Sequence, residues 1–125
     1  MATESQSPNE KGDLKQRTKQ FALRVMRLVD SLPNSRSAGV IGNQLLRSAT
    51  SVGANYRSAQ RGRSNAEFIA KLGIVEEESD ESSYWMELLV ESKLVPHEKL
   101  EALLQEANEI TAMVVASIRT ARSRK

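Results

Sequence analysis

Hydrophobic positions in residues 64–92 recur at helical spacing, and this stretch organises the rest of the chain. It opens with Ser64-Asn65-Ala66-Glu67, a capping box in which the Ser64 hydroxyl accepts from the Glu67 amide and the Glu67 carboxylate returns to the Ser64 N–H. A stripe of apolar and small residues follows in steps of three and four, which predicts a long amphipathic helix. Its members are Phe68, Leu72, Val75, Ser79, Ser82, Met86 and Leu89.

Similar patterns predict three further helices. Asp13 is placed to cap the first, which ends before Pro33 because the residue before proline disfavours the α region. The second runs from about Ser37 to Arg61, and Gly62 suits the left-handed position after its end. The fourth follows Pro96, which suits a first helical turn. The inward line of the second helix is Ala38, Ile41, Leu45, Ser48, Val52, Asn55 and Ala59.

Four helices joined by three short connections predict an all-α fold, an antiparallel up-down-up-down four-helix bundle. The bundle domain is expected to cover residues 13–122. Residues 1–12 are polar and are expected to form a disordered tail, and residues 123–125 are expected to fray.

Composition narrows the class of protein. The 125 residues are 39% hydrophobic but only 4% aromatic, which is typical of an aliphatic helical core. There is no cysteine, so neither a disulfide framework nor a thiolate metal site is available. No apolar run approaches the roughly 20 residues that span a bilayer, and the N-terminus lacks the apolar core of a signal peptide. We therefore expect a cytoplasmic protein without a membrane contact.

The net charge of +2 hides a strong asymmetry along the chain. Residues 1–71 carry a balance of +7, residues 72–112 a balance of −9, and residues 113–125 a balance of +4. Such polarity can steer nucleic acid to one surface. It can equally pair a basic helix with an acidic helix, either within one subunit or between subunits.

Four arginines form a candidate nucleic-acid site: Arg47, Arg57, Arg61 and Arg63. Arg57 and Arg61 lie one turn apart and share a helix face. The next helix begins at Ser64, and the free N–H groups of a helix start favour an anion such as phosphate. The alternative is that these arginines form salt bridges with acids of a neighbouring helix or subunit.

Small polar residues of the second helix are predicted to face serines of the third. Ser48, Ser51 and Asn55 would meet Ser79, Ser82 and Ser83, and the mid-helix Gly53 and Gly73 agree with close backbone contact. A catalytic hydroxyl needs a positioned base, and the single histidine, His97, lies far along the sequence. We therefore interpret these residues as a polar packing core and expect no enzyme activity and no cofactor.

The acidic run at residues 76–81 is the remaining chemical candidate. Di-iron sites in bundles require Glu-x-x-His motifs, and no acid stands three residues before His97. We expect no metal site and interpret these carboxylates as a solvated face or as partners of the basic helices.

Two motifs resemble the signature of a bacterial family. LLRSATSVGANYR at residues 45–57 is similar to its first half. FIAKL at residues 68–72, EE at 77–78 and DESSYWMELL at 80–89 are similar to its second half. These are the 23S rRNA-intervening sequence proteins, some of which are encoded within insertions in ribosomal RNA genes. The resemblance covers about residues 14–120, and Ser58 departs from it where an acid is common.

The resemblance implies an antiparallel four-helix bundle that assembles as a ring-shaped homopentamer without established enzymatic activity. Accessory proteins of diversity-generating retroelements share the bundle and ring, and they work with a reverse transcriptase and nucleic acid. By this analogy, the expected partners are other copies of the chain, RNA or DNA, and a reverse transcriptase. The alternative function is a structural protein–protein interaction module that does not bind nucleic acid.

Apolar residues outside the main stripes supply a predicted oligomer interface, because a lone bundle needs only one apolar stripe per helix. A surplus on different helices favours contact between unlike patches, which closes a ring. The oppositely charged segments would provide complementary rims. The predicted interface residues are Tyr56, Ile69, Tyr84, Trp85 and Leu88. The alternative for Trp85 is a place in the core of its own subunit.

Overall fold

Four α-helices account for almost all of residues 13–124, the part of the chain that the structure, a computed structural model, describes. The predicted tail at residues 1–12 and the last residue of the predicted frayed end lie outside the described residues. No strand occurs within residues 13–124, as the all-α prediction requires. The helices are α1 (Leu14–Asp30), α2 (Arg36–Gln60), α3 (Asn65–Glu91) and α4 (His97–Arg122).

Side chains cap α1 and α3 where the sequence indicates, and Ser35 caps α2, for which the sequence predicted no cap. Asp13 accepts a hydrogen bond from the Gln16 amide at 3.2 Å. Ser64 accepts from the Glu67 amide at 3.1 Å. The return half of the predicted capping box is wrong in one respect, because the Glu67 carboxylate accepts from the Arg63 N–H, at 2.7 Å, instead of the Ser64 N–H.

The left-handed residue lies in a different loop from the one predicted. Gly62 does not have a positive φ, and the residue that does is Lys93, with φ of 66°. Lys93 donates to the Val90 carbonyl and Leu94 donates to the Leu89 carbonyl, which together form a Schellman motif at the end of α3. Gly62 is instead needed for space, because a Cβ there would lie 3.2 Å from the Phe68 nitrogen.

Neighbouring helices pack in chain order around the bundle, and α1 also packs on α4. For each pair of neighbouring helices, two contacts at different positions along the helices show their relative direction. Gly53 lies against Thr18 and Gly42 against Leu32, so α1 and α2 run in opposite directions. Likewise, Ser48 meets Ser82 while the loop residue Gly62 meets Phe68, which orders α2 against α3. Helices α3 and α4 are also antiparallel, because the Asn65 side chain near the start of α3 bonds to the Ala121 carbonyl near the end of α4. Further along α3, the Ser79 hydroxyl bonds to the Ala107 carbonyl.

The core is mainly aliphatic, with the single fully buried aromatic side chain Phe21 among the described residues, and it lies between the predicted stripes. On α2, however, Ile41 and Asn55 are only half-buried, whereas Gly42 and Ala49 are buried and were not part of the predicted inward line. A Cβ at Gly42 would lie 2.9 Å from Leu32 Cδ1, the end of a flexible side chain just beyond α1, and 3.5 Å from Val29 Cγ1, so Gly42 packs closely against the end of α1. The largest fully buried side chains include Phe21, Leu45, Leu72, Met86, Leu89, Leu100 and Ile110.

A half-buried charge cluster joins the first helix to the last. Arg17 donates from Nε and Nη2 to the two carboxylate oxygens of Glu106, at 2.9 and 2.8 Å. It also donates to Glu109 at 2.6 Å and lies 3.2 Å from the Met113 sulfur. The hydrogen bond to Glu106 raises the pKa of the Arg17 guanidinium, although burial opposes the shift.

The two mid-helix glycines have different environments. A Cβ at Gly53 would lie 3.3 Å from Thr18 Oγ1, so this glycine permits a close approach, but of α1 rather than the α3 helix that the sequence suggested. The prediction for Gly73 is wrong within the subunit, because a Cβ there would meet no atom within 4 Å of it. Packing among the described helices does not require glycine at residue 73.

Alanine should stabilise the subunit more at residue 73 than at residue 53. Gly73→Ala removes backbone freedom from the unfolded chain without a clash, so we expect the free energy of unfolding to rise by up to about 1 kcal/mol. At Gly53 the same gain is opposed by the contact with the buried Thr18. Gly53→Leu extends that overpacking and should cost about 1–3 kcal/mol. Urea unfolding of the three variants at one protein concentration checks this order, and equal stabilities of Gly53→Leu and Gly73→Ala would contradict it.

Candidate nucleic-acid and self-association surfaces

The side of the bundle formed by α1 and α2 is basic. Helix α2 carries Arg36, Arg47 and Arg57 and has no acidic residue, while α1 carries five lysines and arginines against the single acid Asp30. Helix α3 has the opposite character, with eight acids and one lysine, Lys71. The charge asymmetry along the sequence therefore becomes a difference between two sides of the molecule.

A groove of about 360 Å³ runs between α1 and α2 on the basic side. Three cations line it, Lys15 and Lys19 from α1 and Arg57 from α2, and no acid is among its lining residues. Sequence reasoning identified Arg57 but missed the two lysines. The register between α1 and α2, set by the contact of Gly53 with Thr18, brings them together, and no local motif encodes this register.

The structure separates Arg47 from the other predicted phosphate ligands. Its guanidinium donates to Glu78 at 3.2 Å and to Glu81 at 2.5 Å, so its charge is already countered by α3. The hydrogen bonds to Glu81 and Glu78 raise its pKa. The structure therefore gives Arg47 the salt-bridge role that the sequence left as the alternative.

Arg57, Arg61 and Arg63 are exposed and have no salt bridge to any residue between 13 and 124. Arg57 lies in the last turn of α2, Arg61 caps that helix, and Arg63 precedes the Ser64 cap of α3. This end of the bundle thus presents three cations on a short stretch of chain, next to the start of α3.

The predicted polar packing core is only partly assembled between α2 and α3. The Ser48 and Ser82 hydroxyl oxygens lie 3.0 Å apart and share a hydrogen bond. Ser79 faces α4 instead, where its hydroxyl bonds with Thr111 and the Ala107 carbonyl. The Asn55 amide donates to the Ser51 carbonyl of its own helix, so that pair does not bridge helices. Ser83 Oγ is buried without a hydrogen-bond partner among the described residues.

Aromatic side chains of α3 form the core of the candidate self-association surface. Tyr84 is 52% exposed, and its ring meets that of Trp85 edge-on, with centroids 5.0 Å apart. Trp85 is half-buried against the core, and its Nε1–H donates to Glu81 at 3.2 Å. Leu88, one turn beyond Tyr84, is half-buried, and Ile74 is 39% exposed on the same helix. Sequence reasoning did not include Ile74 in the interface.

The other two predicted interface residues lie closer to the core. Ile69 and Tyr56 are both half-buried and pack against the core cluster. Burial raises the pKa of the Tyr56 phenol, with a smaller contribution from the negative charge of Asp13. Val40, on α2, is 58% exposed. In the register set by Ser48 and Ser82, Val40 lies level with the last turns of α3.

A metal-binding cluster and a membrane-spanning helix are both absent from residues 13–124. No group of three or more histidine and carboxylate side chains converges on a point where a metal ion would bind. None of the four helices combines the length and apolar character needed to cross a membrane.

Comparisons with known proteins place the chain among its relatives. A family model described as "23S rRNA-intervening sequence protein" matches residues 10–116. A comparison with curated protein sequences found no match. A crystal structure of a protein of unknown function from the S23 ribosomal protein family of Bacteroides thetaiotaomicron is 36% identical. The match covers 84% of this chain and 97% of that chain, with a TM-score of 0.79.

Proposed function

Because the chain belongs to the 23S rRNA-intervening sequence protein family, we propose that it is a non-enzymatic protein that self-associates into a ring, with five subunits, and contacts RNA or DNA as a cytoplasmic accessory factor. The non-enzymatic part follows the family resemblance, and the groups that the sequence raised as chemical candidates lie apart from one another. His97 lies exposed at the start of α4, and the Ser48 and Ser82 hydroxyls bond to each other in the core.

The observation that carries the self-association is the uncovered aromatic surface of α3. Tyr84 is exposed beside Trp85, and Leu88, one turn further along, is half-exposed between two acids of the same helix, Glu87 and Glu91. Ile74 is exposed about three turns earlier on α3. An exposed apolar patch with a polar rim usually marks an interaction site. The described residues of the same subunit leave this patch open to solvent.

Charge supports a contact between unlike surfaces. The acidic rim of α3 complements exposed cations of α1 and α2 that lie outside the groove, such as Arg27 and Arg36, and no equivalent basic patch lies on α3 to make the surface self-complementary. Contacts between two different patches generate a closed ring or an open filament, whereas a self-complementary patch closes a dimer. A ring of identical subunits is consistent with this asymmetry.

Light scattering coupled to size exclusion tests the assembly at micromolar concentration. We expect a mass of five subunits of 13.9 kDa each. A mass of one subunit would contradict the proposal, and a mass that rises with concentration without limit would indicate a filament instead of a ring.

Retention on immobilised RNA tests the nucleic-acid part separately. We expect retention at about 50 mM salt that is lost near 200 mM, because contacts with phosphate release counterions. A ring that is not retained on RNA or DNA at low salt would instead support the alternative, an interaction module that binds only protein.

A further inference from the structure

We infer that the groove between α1 and α2 binds the phosphate backbone of nucleic acid through Lys15, Lys19 and Arg57. The inference rests on the proposed nucleic-acid contact and gives it a location and residues. It moves the centre of the contact from the loop arginines, Arg61 and Arg63, to the groove between the helices.

The first argument is uncompensated charge. The groove has three cations and no acid among its lining residues, and none of the three cations has a salt bridge within residues 13–124. Arg17 and Arg47 show the contrast, since each donates to two carboxylates. A second groove, between α3 and α4, has Arg119 and Arg122 but also Glu76, so its charge is partly compensated.

The second argument is shape. Small residues, Ala22, Gly53 and Ala54, line the groove between its cations, so a backbone can approach the helices closely. Lys15 and Lys19 lie one turn apart, about 6 Å along the helix axis. One strand of a duplex carries about two phosphates over that length. Two lysines on α1 and an arginine across the groove can therefore meet successive phosphates.

The groove's hydroxyls do not contribute donors. Thr50 Oγ1 donates to the Leu46 carbonyl at 2.8 Å, and Thr18 Oγ1 donates to the Lys15 carbonyl at 3.2 Å. Binding there would rely on the cations, and lysine binds phosphate as a strongly hydrated point charge. No aromatic residue lines the groove, so bases have no stacking platform. We therefore expect binding that depends on salt but hardly on base sequence.

The acidic side of a neighbouring subunit is the competing occupant. Phosphate is the better match because the α3 acids Glu78 and Glu81 are already engaged by Arg47 of their own subunit. A nucleic-acid strand also carries its charges at a regular spacing, so it can meet the three cations of the groove with successive phosphates.

The test compares two variants with the same loss of charge. One variant combines Lys15→Gln, Lys19→Gln and Arg57→Gln. The control combines Lys71→Gln, Lys93→Gln and Lys99→Gln, which lie on α3, in the α3–α4 connection and in the first turn of α4. Affinity for fluorescein-labelled 20-nucleotide RNAs of two unrelated sequences is measured between 50 and 200 mM salt. Circular dichroism and light scattering confirm that each variant keeps its helices and its mass.

Each lost phosphate contact flattens the slope of log affinity against log salt by about 0.7–0.9. Between 50 and 200 mM salt, the wild-type affinity should therefore fall about 20- to 40-fold more than that of the groove variant. The control should keep the wild-type slope, both RNAs should behave alike, and Lys15→Arg with Lys19→Arg should retain binding.

Three results would overturn the inference in distinguishable ways. Equal slopes for wild type and groove variant would place the phosphate contacts elsewhere while leaving the proposed function intact, especially if Arg61→Gln with Arg63→Gln lost binding. A groove variant that loses its assembled mass would show that a neighbouring subunit occupies the groove. Failure of the wild-type ring to bind RNA at 50 mM salt would remove the proposed nucleic-acid function itself.

Discussion

Replacing Tyr84 with glutamate is expected to convert the assembled protein to single subunits of 13.9 kDa. Tyr84 is 52% exposed in the subunit, so a charge there should not disturb the core. In an apolar contact between subunits, however, the carboxylate would be buried without a partner, next to the acids of α3. Burying such a charge costs several kcal/mol, enough to dissociate most assemblies of this size at micromolar concentration.

Light scattering measures the mass, and circular dichroism checks that the helices persist. Ala102→Glu supplies the matched control, because Ala102 is exposed on α4 and receives the same charge outside the aromatic surface. Trp85→Ala is a less selective probe, since Trp85 also packs against the core of its own subunit. An unchanged mass in Tyr84→Glu would rule out this surface as the interface.

Much of the fold could be predicted because its signals are local. Caps such as Asp13 and Ser64 and the breaker Pro33 are read over a few residues, and the helix ends lie within about two residues of the prediction. The stripe of α3 was also predictable, because Leu72 and Met86 are fully buried at the expected spacing. Short connections then leave few ways to arrange four helices.

The predictions that were wrong depended on how each helix is rotated and aligned against its neighbours. Glycine at residue 73 looks like a packing position in the sequence, yet only the rotation of α3 shows that its Cβ side faces open space. Residue 93 is lysine where glycine is usual, so nothing in the composition marks the left-handed turn. Arg47 looked like its neighbours in the basic segment until the register of α2 against α3 brought it to Glu78 and Glu81.

For the candidate groove, too, the sequence shows the charges but not how the fold brings them together. The basic character of residues 1–71 is visible in the sequence, and so is the spacing of Arg57 and Arg61. The pairing of Arg57 with Lys15 and Lys19 is not, because they lie about 40 residues apart and meet only through the antiparallel register of α1 and α2. The sequence could therefore suggest an anion but not the surface that would hold it.

The charge cluster at Arg17 should be the most sensitive polar site of the subunit. Arg17→Met keeps much of the side-chain volume but removes every donor to Glu106 and Glu109, which leaves Glu106, only 17% exposed, without its cation. Hydrogen bonds to charged groups contribute about 1.5–3 kcal/mol, so we expect a loss of that size in the free energy of unfolding. Urea unfolding at fixed protein concentration measures it, since assembly makes apparent stability depend on concentration.

Arg47→Met is the matched comparison, because Arg47 also donates to two glutamates but is 48% exposed. Solvent screens that pair and can replace its hydrogen bonds, so its loss should leave the unfolding midpoint unchanged within error. The contrast isolates burial as the cause, since the number and kind of charged partners are the same at both arginines. Equal losses at Arg17 and Arg47 would mean that the difference in exposure between the two arginines does not determine how much each cluster stabilises the fold.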